Sequence, residues 1–185
     1  MAEAAGTIGN TALLVVDVQV AVIAGEAEHH DAEGILGRIA GLLDKARAAG
    51  RPVIYVQHES EGYPPMKVGA DGWQVHPAVT PLPGEPRVRK RACDSFYKTS
   101  LESELKERGI RSLVVCGCDT DYCVDTTVRS ALSHGCDVTL VGDAHTTSDS
   151  DVLTAAQIIA HVNSTLNGLP IDRESRVVPA AEVTF

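Results

Sequence analysis

The sequence predicts an α/β protein: a mostly parallel, doubly wound sheet with helices on both faces. Two observations carry this. Short apolar runs alternate along the chain with longer stretches whose apolar residues recur at helical spacing. The runs themselves are continuous rather than alternating polar and apolar, the pattern of strands buried on both sides.

Ala12-Leu13-Leu14-Val15-Val16 is the first strand and ends at Asp17. From about Asp31 to Ala49, Ile35, Ile39, Leu42, Leu43 and Ala46 mark one helical face, and Gly50 stops the helix. Pro52-Val53-Ile54-Tyr55-Val56 is the second strand and runs out into Gln57-His58-Glu59. Thr99 to Arg108 is a short helix carrying Leu101 and Leu105, closed by Gly109. Ser112 to Cys116 is the third strand. Cys123, Val124, Thr127, Val128, Ala131 and Leu132 share one face of the next helix, which Gly135 ends. Val138-Thr139-Leu140-Val141 is the fourth strand, ending near Asp143. Val152, Ala155, Ala156, Ile159 and Val162 mark a last helix, and Arg176-Val177-Val178 an edge strand limited by Pro179. The connection from Glu61 to Pro86 is rich in proline and glycine and holds Tyr63, His76 and the only tryptophan, Trp73. Its length reads as a pocket wall or an interface segment.

With 185 residues the chain is expected to form a single domain, residues 1–185. No apolar run reaches membrane-span length, and Met1 to Asn10 has no signal-peptide pattern. Five cysteines without framework spacing fit a reducing, cytoplasmic compartment. A net charge of −9 argues against a nucleic-acid partner. The basic cluster Arg87-Val88-Arg89-Lys90-Arg91 reads by itself as a solvated face. Its arginines would suit an acidic substrate, but alternate residues of an extended segment point to opposite faces.

Parallel sheets of this kind bind ligands beyond the carboxyl ends of their strands. That rule selects Asp17 and Gln19, His58, Cys118 to Cys123, and Asp143 to His145. Cys123 is expected in the first turn of a helix, where unsatisfied N–H groups and the helix dipole favour thiolate, the nucleophilic form. A thiol, a carboxylate and an imidazole then share one edge.

These residues form a pattern. Asp17-Val18-Gln19, Lys90 followed six residues later by Phe96, and Gly117-Cys118-Asp119-Thr120-Asp121-Tyr122-Cys123-Val124, with Asp143-Ala144 beyond, resemble the isochorismatase-like cysteine hydrolase superfamily. The resemblance spans nearly the whole chain. It implies a three-layer α/β/α domain of about six strands and an Asp–Lys–Cys triad carried by Asp17, Lys90 and Cys123. It also implies a cis peptide between Cys118 and Asp119, with the N–H groups of Asp119 and Cys123 aimed at a substrate oxyanion. Dimers or tetramers are common in the family, so a homo-oligomer is expected. Substrate contacts are expected from Gln19, His58, Trp73, Phe96 and Tyr122.

The implied chemistry is physically coherent. Lys90 balances both anions, and Asp17 accepts the thiol proton as sulfur attacks an amide carbon. Backbone donors hold the tetrahedral oxyanion. Asp17 then protonates the leaving amine and returns as the base for water. No cofactor is needed. Nicotinamidase-like members carry an Asp-x-His metal pattern after the second strand, where this chain has Gln57-His58-Glu59, so no metal is expected. His29, His30 and His76 complete no ligand set, and Cys116 and Cys118 read as buried small side chains. The leading function is cleavage of a small amide, carbamoyl or ureido C–N bond through a thioester. The alternatives are isochorismatase-type vinyl-ether hydrolysis and a non-catalytic thiol sensor. A dinucleotide-binding module is disfavoured because no strand is followed by G-x-G-x-x-G.

Overall fold

The computed structural model describes residues 10–25 and 28–185, so the amino-terminal stretch up to residue 9 lies outside them. Six strands, β1 (Thr11–Val16), β2 (Val53–His58), β3 (Arg87–Lys90), β4 (Ser112–Cys118), β5 (Asp137–Thr146) and β6 (Ser175–Val178), form one sheet in the order β3-β2-β1-β4-β5-β6. Every neighbouring pair is parallel. Five helices accompany it: α1 (Val20–Ile23), α2 (Ala32–Ala48), α3 (Leu101–Glu107), α4 (Asp125–Ser133) and α5 (Ala155–Leu166).

Period-two geometry divides the strand side chains between two cores. Leu14, Val16, Ile54, Val56, Val88, Leu113 and Val115 pack with α3, α4 and α5. Leu13, Val15, Val53, Tyr55, Val114 and Cys116 pack with α2. Helices therefore cover both faces, and the chain order reverses direction between β1 and β4. In doubly wound sheets a crevice opens at that reversal, beyond the carboxyl ends.

Two expectations need correction. The basic cluster is not simply a solvated face: Arg87–Lys90 is the edge strand β3, with Arg87 and Arg89 exposed and Val88 and Lys90 buried. One apolar residue in four hid it, and arginines on an edge strand suit its need to resist further pairing. The last helix does not begin near Val152, which is 85% exposed. It starts after Thr154, whose hydroxyl and Gln157 close a reciprocal capping box, and it buries Ala155, Ile158, Val162 and Leu166 while Ala156 faces out.

The 61–86 segment folds as three single 3₁₀ turns, Pro64–Met66, Asp71–Trp73 and Pro77–Val79. It is stitched across the ends of β1 and β2: Val20 N–H donates to Gln74 O (3.0 Å), His76 N–H to Val18 O (2.9 Å) and Tyr55 OH to Val79 O (2.9 Å). The segment is thus a strap over the crevice.

Strands β4 and β5 lose register just below that crevice. Val115 pairs with Leu140, but Gly117 pairs with His145, so several β5 residues bulge out and His145 arrives opposite the end of β4. Gly117 allows this with φ of 129°, and a Cβ there would lie 2.0 Å from the Val16 carbonyl oxygen. Gly117→Ala therefore joins a strained backbone to a backbone clash, and a loss of about 3–5 kcal/mol in urea unfolding is expected.

Candidate active site

Asp17, Lys90 and Cys123 come from three different strand ends and meet in the crevice. Asp17 follows β1 in the left-handed region, with φ of 51°, and is almost fully buried. Carboxylate residues tolerate that conformation better than branched ones, and here it turns the side chain into the site instead of along the strand. Lys90 ends β3 at 2% exposure. Its Nζ lies 2.7 Å from Asp17 Oδ2, donates to Cys123 Sγ at 2.9 Å and to Ala92 O at 2.9 Å. No aligned N–H or O–H donor reaches either Asp17 oxygen among the described residues. The carboxylate is held to the ammonium as a close ion pair.

Cys123 lies in a π-helical turn, Thr120–Val124, that runs directly into α4. The turn follows a cis peptide between Cys118 and Asp119. The N–H groups on either side of Cys123 fold back on the Asp119 carbonyl, Tyr122 N at 3.2 Å and Val124 N at 3.0 Å. A π turn widens the helix entrance and presents the intervening residue toward the crevice.

The charge balance refines the expectation of a resting thiolate. Burial, reinforced by Asp17, pushes the Cys123 thiol up, and Lys90 only partly offsets it. Burial pulls the Lys90 ammonium down, but Asp17 and Cys123 together outweigh it and raise it above its ordinary value. The resting site therefore holds a charged lysine and a protonated thiol beside a carboxylate.

Four of the other candidates take distinct places. Gln19 is buried and its amide makes three hydrogen bonds: Nε2 donates to His58 O (3.0 Å) and Trp73 O (2.8 Å), while Oε1 accepts from His58 N (2.7 Å). It clamps the strap to β2. Trp73 is held there through its carbonyl, which also accepts from Gln57 Nε2 at 3.0 Å. Phe96 stacks on His134 beyond the carboxyl end of α4, with ring centroids 4.6 Å apart, so its place is in packing. Tyr122 is 59% exposed on the outer side of the turn.

Cys116 and Cys118 are fully buried thiols, both raised by burial, and all five cysteines are free. Metal ligation is also poorly served. Glu59 is taken by Arg91 (2.7 Å) and Arg89 (3.6 Å), and Gln57 faces the strap. Atoms of Asp17, His58 and Cys123 do lie within 4.8 Å of one another. The Lys90 ammonium, however, already sits between the carboxylate and the sulfur, so a second cation would meet direct repulsion.

A supporting network was not read from the sequence beyond the strand-end position of His145. Its Nδ1 meets Thr120 Oγ1 at 2.8 Å and its Nε2 meets Asn163 Oδ1 at 2.8 Å. Asn163 anchors to Gly142 O at 2.9 Å. With the amide oxygen accepting from Nε2–H, Nδ1 accepts from the threonine hydroxyl. The bulge in β5 brings the ring under the cysteine turn, and no periodicity announces a bulge. On the far side, His29 Nε2 lies 2.6 Å from Asp119 Oδ1.

Residues 11–165 match the isochorismatase domain. The chain belongs to the isochorismatase family. It is similar to streptothricin hydrolase of Streptomyces noursei, 38% identical over 182 residues that cover 94% of this chain and 70% of that protein. Among solved structures it resembles a cysteine hydrolase from Pseudomonas syringae pv. phaseolicola, with TM-score 0.85 and 25% identity over 95% of this chain and 91% of that one. It also resembles N-carbamoylsarcosine amidase from Thermoplasma acidophilum, with TM-score 0.78 and 26% identity over 94% of this chain and 98% of that one. The isochorismatase-family fold thus accounts for the sheet order, and these relatives are named as hydrolases. No helix among the described residues is long and apolar enough to cross a membrane.

Burial holds His145 neutral, and burial with Lys90 does the same for His58, so both titrate below their ordinary value. An unfolded histidine takes up a proton near pH 6.5, which these refuse while folded. Unfolding free energy is therefore expected to fall as pH drops from 7.5 through 5. His145→Gln, although less stable throughout, should show a shallower slope in urea titrations over that range.

Proposed function

We propose that this isochorismatase-family protein is a metal-independent cysteine amidohydrolase that cleaves the C–N bond of a small amide, carbamoyl or ureido substrate through a thioester on Cys123. The observation that carries the reading is the position of the Lys90 ammonium, 2.7 Å from a carboxylate and 2.9 Å from a thiol. That arrangement lets a proton move from sulfur to carboxylate while the local charge stays balanced. A vinyl-ether hydrolysis needs an acid but no sulfur nucleophile, so it leaves Cys123 without a role. The amidase named among the structural relatives supports C–N chemistry as well.

In this mechanism sulfur attacks the substrate carbonyl carbon as its proton passes to Asp17. The oxyanion forms beside the turn after the cis bond, where the N–H groups of Asp119 and Cys123 are the donors. Collapse expels the amine, which takes the proton from Asp17. Lys90 lies against the Asp17 carboxylate and stabilises sulfur whenever it carries charge. The strap, clamped by Gln19, walls the crevice.

Cys123→Ala and Asp17→Asn are each expected to lower turnover of a small-amide substrate by at least 1,000-fold, on the order of the loss of a nucleophile or its base, with unchanged circular dichroism. Ammonia rather than pyruvate should be released. Incubation of the wild-type protein with a panel of small amides, followed by intact-mass analysis, should show an acyl adduct that maps to Cys123. Near-normal turnover in either variant would refute the reading.

A further inference from the structure

Asp119 contributes its N–H to the oxyanion in the mechanism proposed above, and its side chain has no part in that chemistry. The residue that holds the oxyanion necessarily carries its own carboxylate to within a few ångströms of the substrate carbonyl. A negative charge there repels the charge that develops on the carbonyl oxygen. An aspartate at this point works against the reaction unless a positive charge meets it.

The surroundings show what meets it in the free protein. Asp119 Oδ1 lies 2.6 Å from Nε2 of the buried His29. A histidine neutralises a carboxylate only when protonated; a neutral ring merely donates one hydrogen bond. Among the described residues no lysine or arginine pairs with Asp119, Oδ2 takes no hydrogen bond, and the side chain is 32% exposed. Its charge reaches into the crevice, where it is one of those that favour a protonated His58 ring. The cations across the crevice are already matched: Lys90 by Asp17 (2.7 Å), and Arg91 and Arg89 by Glu59 (2.7 and 3.6 Å). Beside His29, the exposed Glu28 and Asp149 line a further cavity of about 440 Å³.

We propose that Asp119 is a specificity-determining residue that selects substrates with an ammonium or guanidinium group on the acyl side of the scissile bond. The side follows from two opposed pulls. Lys90 draws Asp17 toward β3, and the departing nitrogen must meet Asp17 to take its proton. His29 draws Asp119 the other way: its neighbour His30 is pinned to the end of β5, donating to Thr147 O (3.0 Å) and accepting from Thr146 Oγ1 (2.6 Å). With the leaving group on the β3 side, the acyl chain extends toward Asp119. A cation on that chain pairs with the open Oδ2 and removes the repulsion on the oxyanion. The direction of the substrate rests on the thioester reading; the preference for positive charge belongs to the crevice and is measurable without turnover.

The test uses the full chain and two methanethiosulfonates, the cationic 2-aminoethyl and the anionic 2-sulfonatoethyl reagent, each of which forms a mixed disulfide with a thiol. Rates at Cys123 are read by peptide mass spectrometry, which separates it from the exposed Cys93, and are divided by each reagent's rate with 2-mercaptoethanol. Asp119→Asn is expected to lower the cation-to-anion ratio about 10-fold, a modest effect for opposite unit charges beside a part-buried carboxylate. Asp119→Glu should keep the wild-type ratio. Asp125→Asn, which removes a charge paired with Arg129 (3.0 Å) on α4, should also leave it unchanged. In turnover, wild type should prefer 4-aminobutanamide to the isosteric pentanamide in kcat/KM, and Asp119→Asn should lose that preference. Equal ratios in wild type and Asp119→Asn would mean that His29 already neutralises the carboxylate, and the proposal fails. An equal fall in Asp125→Asn would reduce the effect to the general field of an acidic protein and overturn it as well. A ratio that falls as expected while pentanamide remains the better substrate overturns the acyl-side assignment. If no amide acylates Cys123, the thioester reading fails, and the charge preference still stands or falls on the reagent ratio.

Discussion

A lysine ammonium buried between a carboxylate and a thiol is the interaction on which the rest of this structure depends. Lys90 is among the largest fully buried side chains in the protein. Its desolvation alone would cost several kcal/mol, roughly what removing one partner of a buried ion pair exposes, about 3–5 kcal/mol. Only closely placed acceptors, at least one of them anionic, make that burial tolerable. Asp17 and Ala92 O provide them permanently, and sulfur does so whenever it loses its proton. Three strands must therefore end at matching heights. The parallel registers of β1 with β2, and of β2 with β3, set those heights.

The same constraint explains why an ammonium sits on an edge strand. β3 is short and its outer arginines remain in solvent, but its inward residues must be covered. The chain that follows provides the cover. Ser95 binds Thr127 of α4 through their hydroxyls at 2.7 Å, fixing the 92–100 segment against the helix that carries the cysteine turn. On the other side, three hydrogen bonds from the Gln19 amide hold the strap and β2 together.

Charge placement divides the work. Burial and the neighbouring Asp17 raise the Cys123 thiol, so sulfur rests protonated, the form that oxidises less readily. The positive charge between carboxylate and sulfur comes from the chain itself, as the Lys90 ammonium. Behind the turn, the buried His145–Thr120–Asn163 network fixes the threonine next to the cis bond without adding charge.

Composition and periodicity by themselves determined the α/β class, five of the six strands, the buried faces of α2 and α4, and the strand-end rule that selected Asp17, His58 and the Cys118–Cys123 turn. These follow from local burial, which leaves its period in the sequence. Motif order supplied Lys90, because Arg87-Val88-Arg89-Lys90 has too few apolar residues to read as a strand; only pairing with β2 makes it one. Tertiary structure alone decided the rest. It showed that Gln19 is a clamp, that Phe96 packs on His134, and that Tyr122 faces out. It also revealed the bulge that delivers His145 to the site. Each of those outcomes depends on what lies across the crevice from a residue, and a one-dimensional pattern carries no record of its distant neighbours.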